Sequence, residues 1–140
     1  MIRPFLSSDI VWIKPIAMKY GEWEAIRDGL MGRDNYIVLC TWVIEGKALV
    51  ALFEDIDDHE KTIVCGLCDS NGIKELFELG HFIVKLARGF SHVLYSPKLD
   101  AGSWQEKFFK KMGFVESGPG HFILPLEESC AVAKRLQKVL

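Results

Sequence analysis

Only four cysteines occur in 140 residues, and no second ligand pair stands at the spacing that would complete Cys65-Gly-Leu-Cys68 as a four-ligand zinc site. Long apolar runs are missing too: none approaches the roughly eighteen residues of a membrane span, which excludes a transmembrane helix. The opening MIRPFLSSDI has neither an apolar core of signal-peptide length nor a small-residue cleavage site, so a cytoplasmic protein is expected. Excess positive charge is also absent. With 17 Lys and Arg against 19 Asp and Glu, net charge −2, the chain has no summed field to hold a phosphate backbone, and general nucleic-acid binding is disfavoured. Repeats and low-complexity tracts do not occur. What is present is a 49% hydrophobic fraction with nine Phe and four Trp, enough to fill the interior of a single domain.

Along the chain, IRPF reads as a short strand, followed by Ser7, Ser8 and Asp9, any of which can cap a helix. Apolar residues from Ile13 to Leu30 recur at helical spacing, with Pro15 early and a break at Gly21, so one interrupted helix or two short ones are expected. Two β-branched and aromatic runs flank Glu45-Gly46-Lys47 and predict a hairpin, and KTIVCGLCD adds a third, antiparallel strand. Between them, Asp55, Asp57, Asp58 and His59 form an acidic bend that suits a solvated loop better than a metal site.

After Ser70 the period changes to about 3.6: Ile73, Leu76, Phe77, Gly80, Ile83, Val84 and Ala87 predict a central helix stopped at Gly89. SHVLYSP then reads as a strand joined to the previous one by a right-handed parallel crossover. Ser103-Trp104-Gln105-Glu106 is a capping box that starts a helix ending at Gly113, and GFVESG with HFILPL predicts a terminal hairpin. EESCAVAKRLQKVL extends this as an amphipathic helix carrying Val132, Leu136 and Val139 on one side. The expected fold class is α/β (α+β), with a mixed, mostly antiparallel sheet flanked by helices. Its domain covers residues 1–126 and the additional C-terminal helix residues 127–140.

This order of elements resembles the GNAT (GCN5-related N-acetyltransferase) superfamily over nearly the whole chain, and FFKKMGFVESGPG is similar to the family's FYEKLGFVE segment. The resemblance implies an acyl-CoA-dependent N-acyltransferase taking acetyl-CoA and an amine acceptor. In that family two neighbouring strands part, pantetheine pairs with the exposed strand edge, and pyrophosphate rests on the N–H groups at the start of the long helix. The corresponding positions here are Leu67, Asp69, Asn71, Gly72, Ile73 and Lys74, with Phe109 where many members carry the tyrosine that protonates the leaving thiolate. Two departures follow. Gly72 stands alone where the family has two closely spaced small residues, and a phenyl ring has no proton to give.

For a general base, Glu54, Asp55 and Asp69 are the nearby carboxylates, each also readable as a strand-end charge, and no catalytic residue is assigned. His81 and His92 read as partly buried structural histidines. Gly102 and Gln105 fall where the family commonly has Asn and Ala. The segments MIRPFLSSDI and DAGSWQEKFFKKMGF are similar in pattern to degenerate GNAT-like proteins of tailed bacteriophages. That likeness implies an alternative: a catalytically inactive virion component or host-directed protein that meets protein partners through the C-terminal helix. A third reading is a thiol redox protein built on Cys65 and Cys68, against buried cysteines acting as small hydrophobes.

Overall fold

The computed structural model describes residues 1–30, 36–58, 61–89 and 93–126. His59, His92, Cys130 and the expected C-terminal helix with Val132, Leu136 and Val139 lie outside the described residues. Strands β1 (Ile2–Pro4), β2 (Tyr36–Ile44), β3 (Ala48–Asp55), β4 (Thr62–Cys68), β5 (Val93–Tyr95), β6 (Val115–Gly118) and β7 (His121–Pro125) form one sheet in the order β1-β2-β3-β4-β5-β7-β6. Helices α1 (Ile10–Lys19), α2 (Trp23–Leu30), α3 (Ile73–Ala87) and α4 (Trp104–Lys111) flank it. Every strand pair is antiparallel except β4 with β5, which α3 connects in the crossover expected from the sequence.

The sheet is covered on both faces, and the alternation of side chains along the central strands sorts the core in two. Val50, Leu52 and Val64 meet Leu76, Leu79 and Ile83 of α3 and Phe108 and Phe109 of α4. Leu49, Ala51, Phe53, Ile63 and Leu67 meet Ile13 and Ala17 of α1. Because β3 is buried from Ala48 through Phe53, it reads as a continuous apolar run rather than an alternating one.

The long helical pattern resolves into two helices. Gly21 takes φ +68°, which a Cβ-bearing residue adopts at a cost, and its N–H closes α1 on the Met18 carbonyl. Of the three cap candidates, Asp9 stands at the N-cap position of α1, but its side chain makes no capping bond to that helix. It lies at the end of a 3₁₀ turn (Ser7–Asp9), and its carboxylate accepts from Leu6 N at 2.8 Å, Trp12 Nε1 at 2.9 Å and both Arg3 nitrogens at 2.7 and 2.9 Å. The capping box at α4 is half formed. Ser103 Oγ accepts from Glu106 N at 3.2 Å, but Glu106 Oε1 turns to Lys110 Nζ at 3.1 Å instead of reaching back. His81, expected to be partly buried, is exposed on α3.

Candidate functional site

β4 is bonded to β3 along its whole length, from Glu54↔Thr62 to Ala48↔Cys68. Among the described residues, its other edge is bonded to β5 only at Thr62↔Leu94 and Ile63↔Tyr95. The reason lies in what β5 does next. Ser96 N donates to the Phe122 carbonyl at 2.9 Å, Phe122 N donates to Ser96 Oγ at 3.1 Å, and Leu99 N donates to the Gly120 carbonyl at 2.8 Å. The chain after Tyr95 therefore stays with β7 and parts from β4, and Pro97 brings no N–H that could close the gap. Gly120 permits this course: at φ +75°, a Cβ there would sit 2.7 Å from the Leu99 carbonyl oxygen.

Beside the parting strands is a cavity of about 370 Å³, bounded by α2, β4, residues 97–100 and α4. Its walls are mainly apolar, with Ile26, Phe53, Ile63, Leu99 and Phe109 among them. Phe109 is fixed there by edge-to-face contacts with Phe108 and Phe114, ring centroids 5.3 and 4.8 Å apart. Lys98, Asp100, Ser103 and Gln105 also line it, Lys98 and Asp100 with exposed side chains, and Glu22 is its half-buried carboxylate. As the last of the three residues between α1 and α2, Glu22 donates its N–H to the Ala17 carbonyl, and its own carbonyl accepts from Ile26 N, so the backbone on both sides is held. Its Oε1 accepts from Gln105 Nε2 at 2.9 Å, tying the helix junction to the first turn of α4. Burial pushes the Glu22 carboxyl above its usual range, and the Gln105 hydrogen bond opposes that shift in part.

Glu22 was not among the carboxylates considered from the sequence. Glu54 and Asp55 lie at the far end of β3, where Asp55 Oδ1 accepts from Asp57 N in the turn, and neither lines the cavity. Gln105, which departs from the family pattern, is the residue that holds Glu22. The signal available was a carboxylate directly after the glycine break. Its relevance depends on α4, 83 residues away.

The residues aligned with a nucleotide cradle lie at the end of β4. Asp69 Oδ1 accepts from Ser70 N at 2.7 Å and from Lys19 Nζ at 2.8 Å, and Gly72 N donates to the Asp69 carbonyl at 2.8 Å. Lys19 and then the Ser70 N–H hold the Asp69 carboxyl below its ordinary value. Gly72 is buried against the hairpin turn: a Cβ there would run into the Lys47 carbonyl oxygen, with Cys68 Cβ at 3.3 Å. Asn71, Ile73 and Lys74 are exposed at the start of α3, whereas the Leu67 side chain is buried beneath α1. The structure thus groups residues 69–74 at one end of β4 and leaves Phe109 apart from them, in the cavity.

Cys65 and Cys68 face opposite sides of the sheet, one toward α1 and α2 and the other toward α3, so they do not form a thiol pair. Burial drives their thiols up to about 12 and about 11, far from a reactive thiolate. Among the described residues no group of three or more His, Cys, Asp or Glu could hold a metal ion. No described helix is long and apolar enough to cross a membrane.

No family model and no curated protein sequence matches the chain. Solved structures do. An N-acetyltransferase from Staphylococcus aureus Mu50 is similar at a TM-score of 0.61 with 13% identity, covering 90% of this chain and 98% of that one. A domain from Methanocaldococcus jannaschii DSM 2661 gives 0.57 with 14% identity, covering 88% and 94%. A point mutant of a cAMP-binding acyltransferase from Mycobacterium smegmatis gives 0.51 with 15% identity; the match takes in 89% of this chain and 43% of that longer one. At such identities the likeness is one of fold: a mixed, mostly antiparallel seven-stranded sheet of GNAT-like architecture, in which β4 and β5 part.

Proposed function

We propose that the protein is a GNAT-type N-acyltransferase whose acceptor amine occupies the cavity beside Glu22. The observation that carries this reading is the release of the β4 edge after Ile63, directly beside a cavity holding one half-buried carboxylate. An acyl thioester would supply an electrophilic carbonyl. For its pantetheine arm the residues fit, because among the described residues the β4 backbone from Val64 to Cys68 has no partner strand on that side. For its pyrophosphate they do not: the Ser70 and Gly72 N–H groups are already engaged, and the Asp69 carboxylate stands where phosphate charge would arrive. Affinity for acetyl-CoA should therefore be weak and carried by the strand edge.

Within the cavity, Glu22 binds the amine and takes a proton from it at Oε2, the oxygen that Gln105 leaves unused. Its raised proton affinity suits that task better than an ordinary surface carboxylate would. No acid is assigned, since the ring at Phe109 has no proton to donate.

The occupied cradle and the phenyl ring favour a second reading, a GNAT-like domain without activity that serves as a virion component or host-directed binding protein. One titration separates the two. With millimolar acetyl-CoA, amide resonances of residues 64–68 should shift, and free thiol should be released when an acceptor amine is present. Shifts without thiol release would favour the inactive domain, and absence of both would end the acyltransferase reading.

A further inference from the structure

We propose that the cavity selects a primary amine carried on a compact apolar body, with its ammonium paired to Glu22 Oε2 and its body against Ile26, Phe53, Ile63 and Phe109. This rests on the acceptor reading above and narrows it to a substrate class.

The first argument is charge. Glu22 is half-buried, and among the described residues the only hydrogen-bond partner of its carboxylate is the neutral amide of Gln105. No lysine, arginine or histidine pairs with it there, although Arg3, Lys19, Arg27 and Lys110 each find a carboxylate elsewhere. A carboxylate withdrawn from water without a counter-cation is an incomplete ion pair, and a ligand ammonium completes it. Lys98 is the cation on the cavity rim, and its side chain is exposed, while Asp100 on the same rim adds a second negative charge.

The second argument is shape. At about 370 Å³ the space is near the lower end of small-molecule sites, too small for a folded peptide segment, and its mainly apolar walls around one half-buried carboxylate suit a single ammonium on an apolar body rather than a polyamine with several charges. One wall is set by a glycine inside a helix. Gly29 sits in α2, where alanine would be favoured, and a Cβ there would come within 3.3 Å of Cε1 and Cζ of the Phe53 ring, a tight contact. The close approach of α2 to Phe53 defines an apolar slot. Polar side chains at its far end are missing among the lining residues contributed by α2 and β4, apart from the Cys65 thiol.

The experiment is calorimetry on the whole chain with phenethylamine, phenethyl alcohol, phenylacetate and ethylamine, repeated with Glu22→Gln. Phenethylamine should bind at least roughly tenfold more tightly than the alcohol, phenylacetate should not bind, and ethylamine should lose roughly tenfold or more for want of the ring. Glu22→Gln should abolish the preference for amine over alcohol. If the alcohol or phenylacetate binds as well as the amine, or ethylamine matches phenethylamine, the inference is overturned. Those comparisons use the wild-type chain, so they hold even should Glu22→Gln fold poorly. Amine binding without any acetyl-CoA effect at residues 64–68 would sink the acyltransferase reading and leave this one standing. The reverse result would overturn this inference alone.

Discussion

Replacing Asp9 by asparagine removes one negative charge and turns one oxygen into an amide nitrogen at a carboxylate that accepts four hydrogen bonds. Oδ1 serves Arg3 and Trp12, and Oδ2 serves Arg3 and the Leu6 N–H, so in either orientation the new amide faces two donors. The native interactions, led by the Arg3 guanidinium, hold the Asp9 carboxyl at about 2 against its ordinary 3.8. At roughly 1.4 kcal/mol per pH unit, that displacement is worth about 2 kcal/mol of stability at neutral pH. Asp9 is 2% exposed and Arg3 27%, so solvent reaches only one side of the pair and screening trims the figure without removing it. For a domain of this size the melting temperature should fall by roughly 5–8 °C. The sign with pH follows from the depressed value. The contribution is fully present above the unfolded value near 3.8 and is lost as pH falls through about 2, so wild type and Asp9→Asn should converge over that window. Urea melts at pH 7, 4 and 3 test this. A difference that is negligible at pH 7, or that stays constant down to pH 3, would refute the reasoning.

Gly72→Ala should cost about 2 kcal/mol or more in a urea melt, because the added Cβ meets the Lys47 carbonyl, a backbone atom that cannot swing aside. Unchanged stability with weakened acetyl-CoA binding would instead make Gly72 part of a ligand cradle. In a Cys40→Ser, Cys130→Ser background, which leaves two thiols, Ellman's reagent at neutral pH should label neither Cys65 nor Cys68 in the native protein and both in denaturant, since their thiols ionise only near 12 and 11. Rapid native labelling of both would revive a redox role.

Much of the fold was legible in local pattern. Elements whose signals are short-range came through: the glycine break at Gly21, the hairpin at Glu45-Gly46-Lys47, the α3 stripe and the stop at Gly113. Each depends on a backbone preference or a periodicity confined to a few residues, which a linear sequence carries directly. The half-formed box at Ser103 shows the limit. The serine and glutamate are correctly spaced, yet Lys110 one turn on competes for the glutamate and wins.

The site was much less legible, because it is made of distant segments. Glu22 carries no motif and acquires its place from Gln105, 83 residues later, while Cys65 and Cys68 look like a pair in sequence and are separated by the sheet they belong to. The order of elements and the departures at Gly72 and Phe109 were determined by the sequence alone, since identity and spacing suffice to state them. That β5 follows β7 and abandons β4, that Asp69 occupies its own turn's donors, and that a half-buried carboxylate ends in a mainly apolar cavity were decided only by tertiary structure. These depend on which hydrogen-bond partners and charges meet in space, a competition among remote groups that no local window contains.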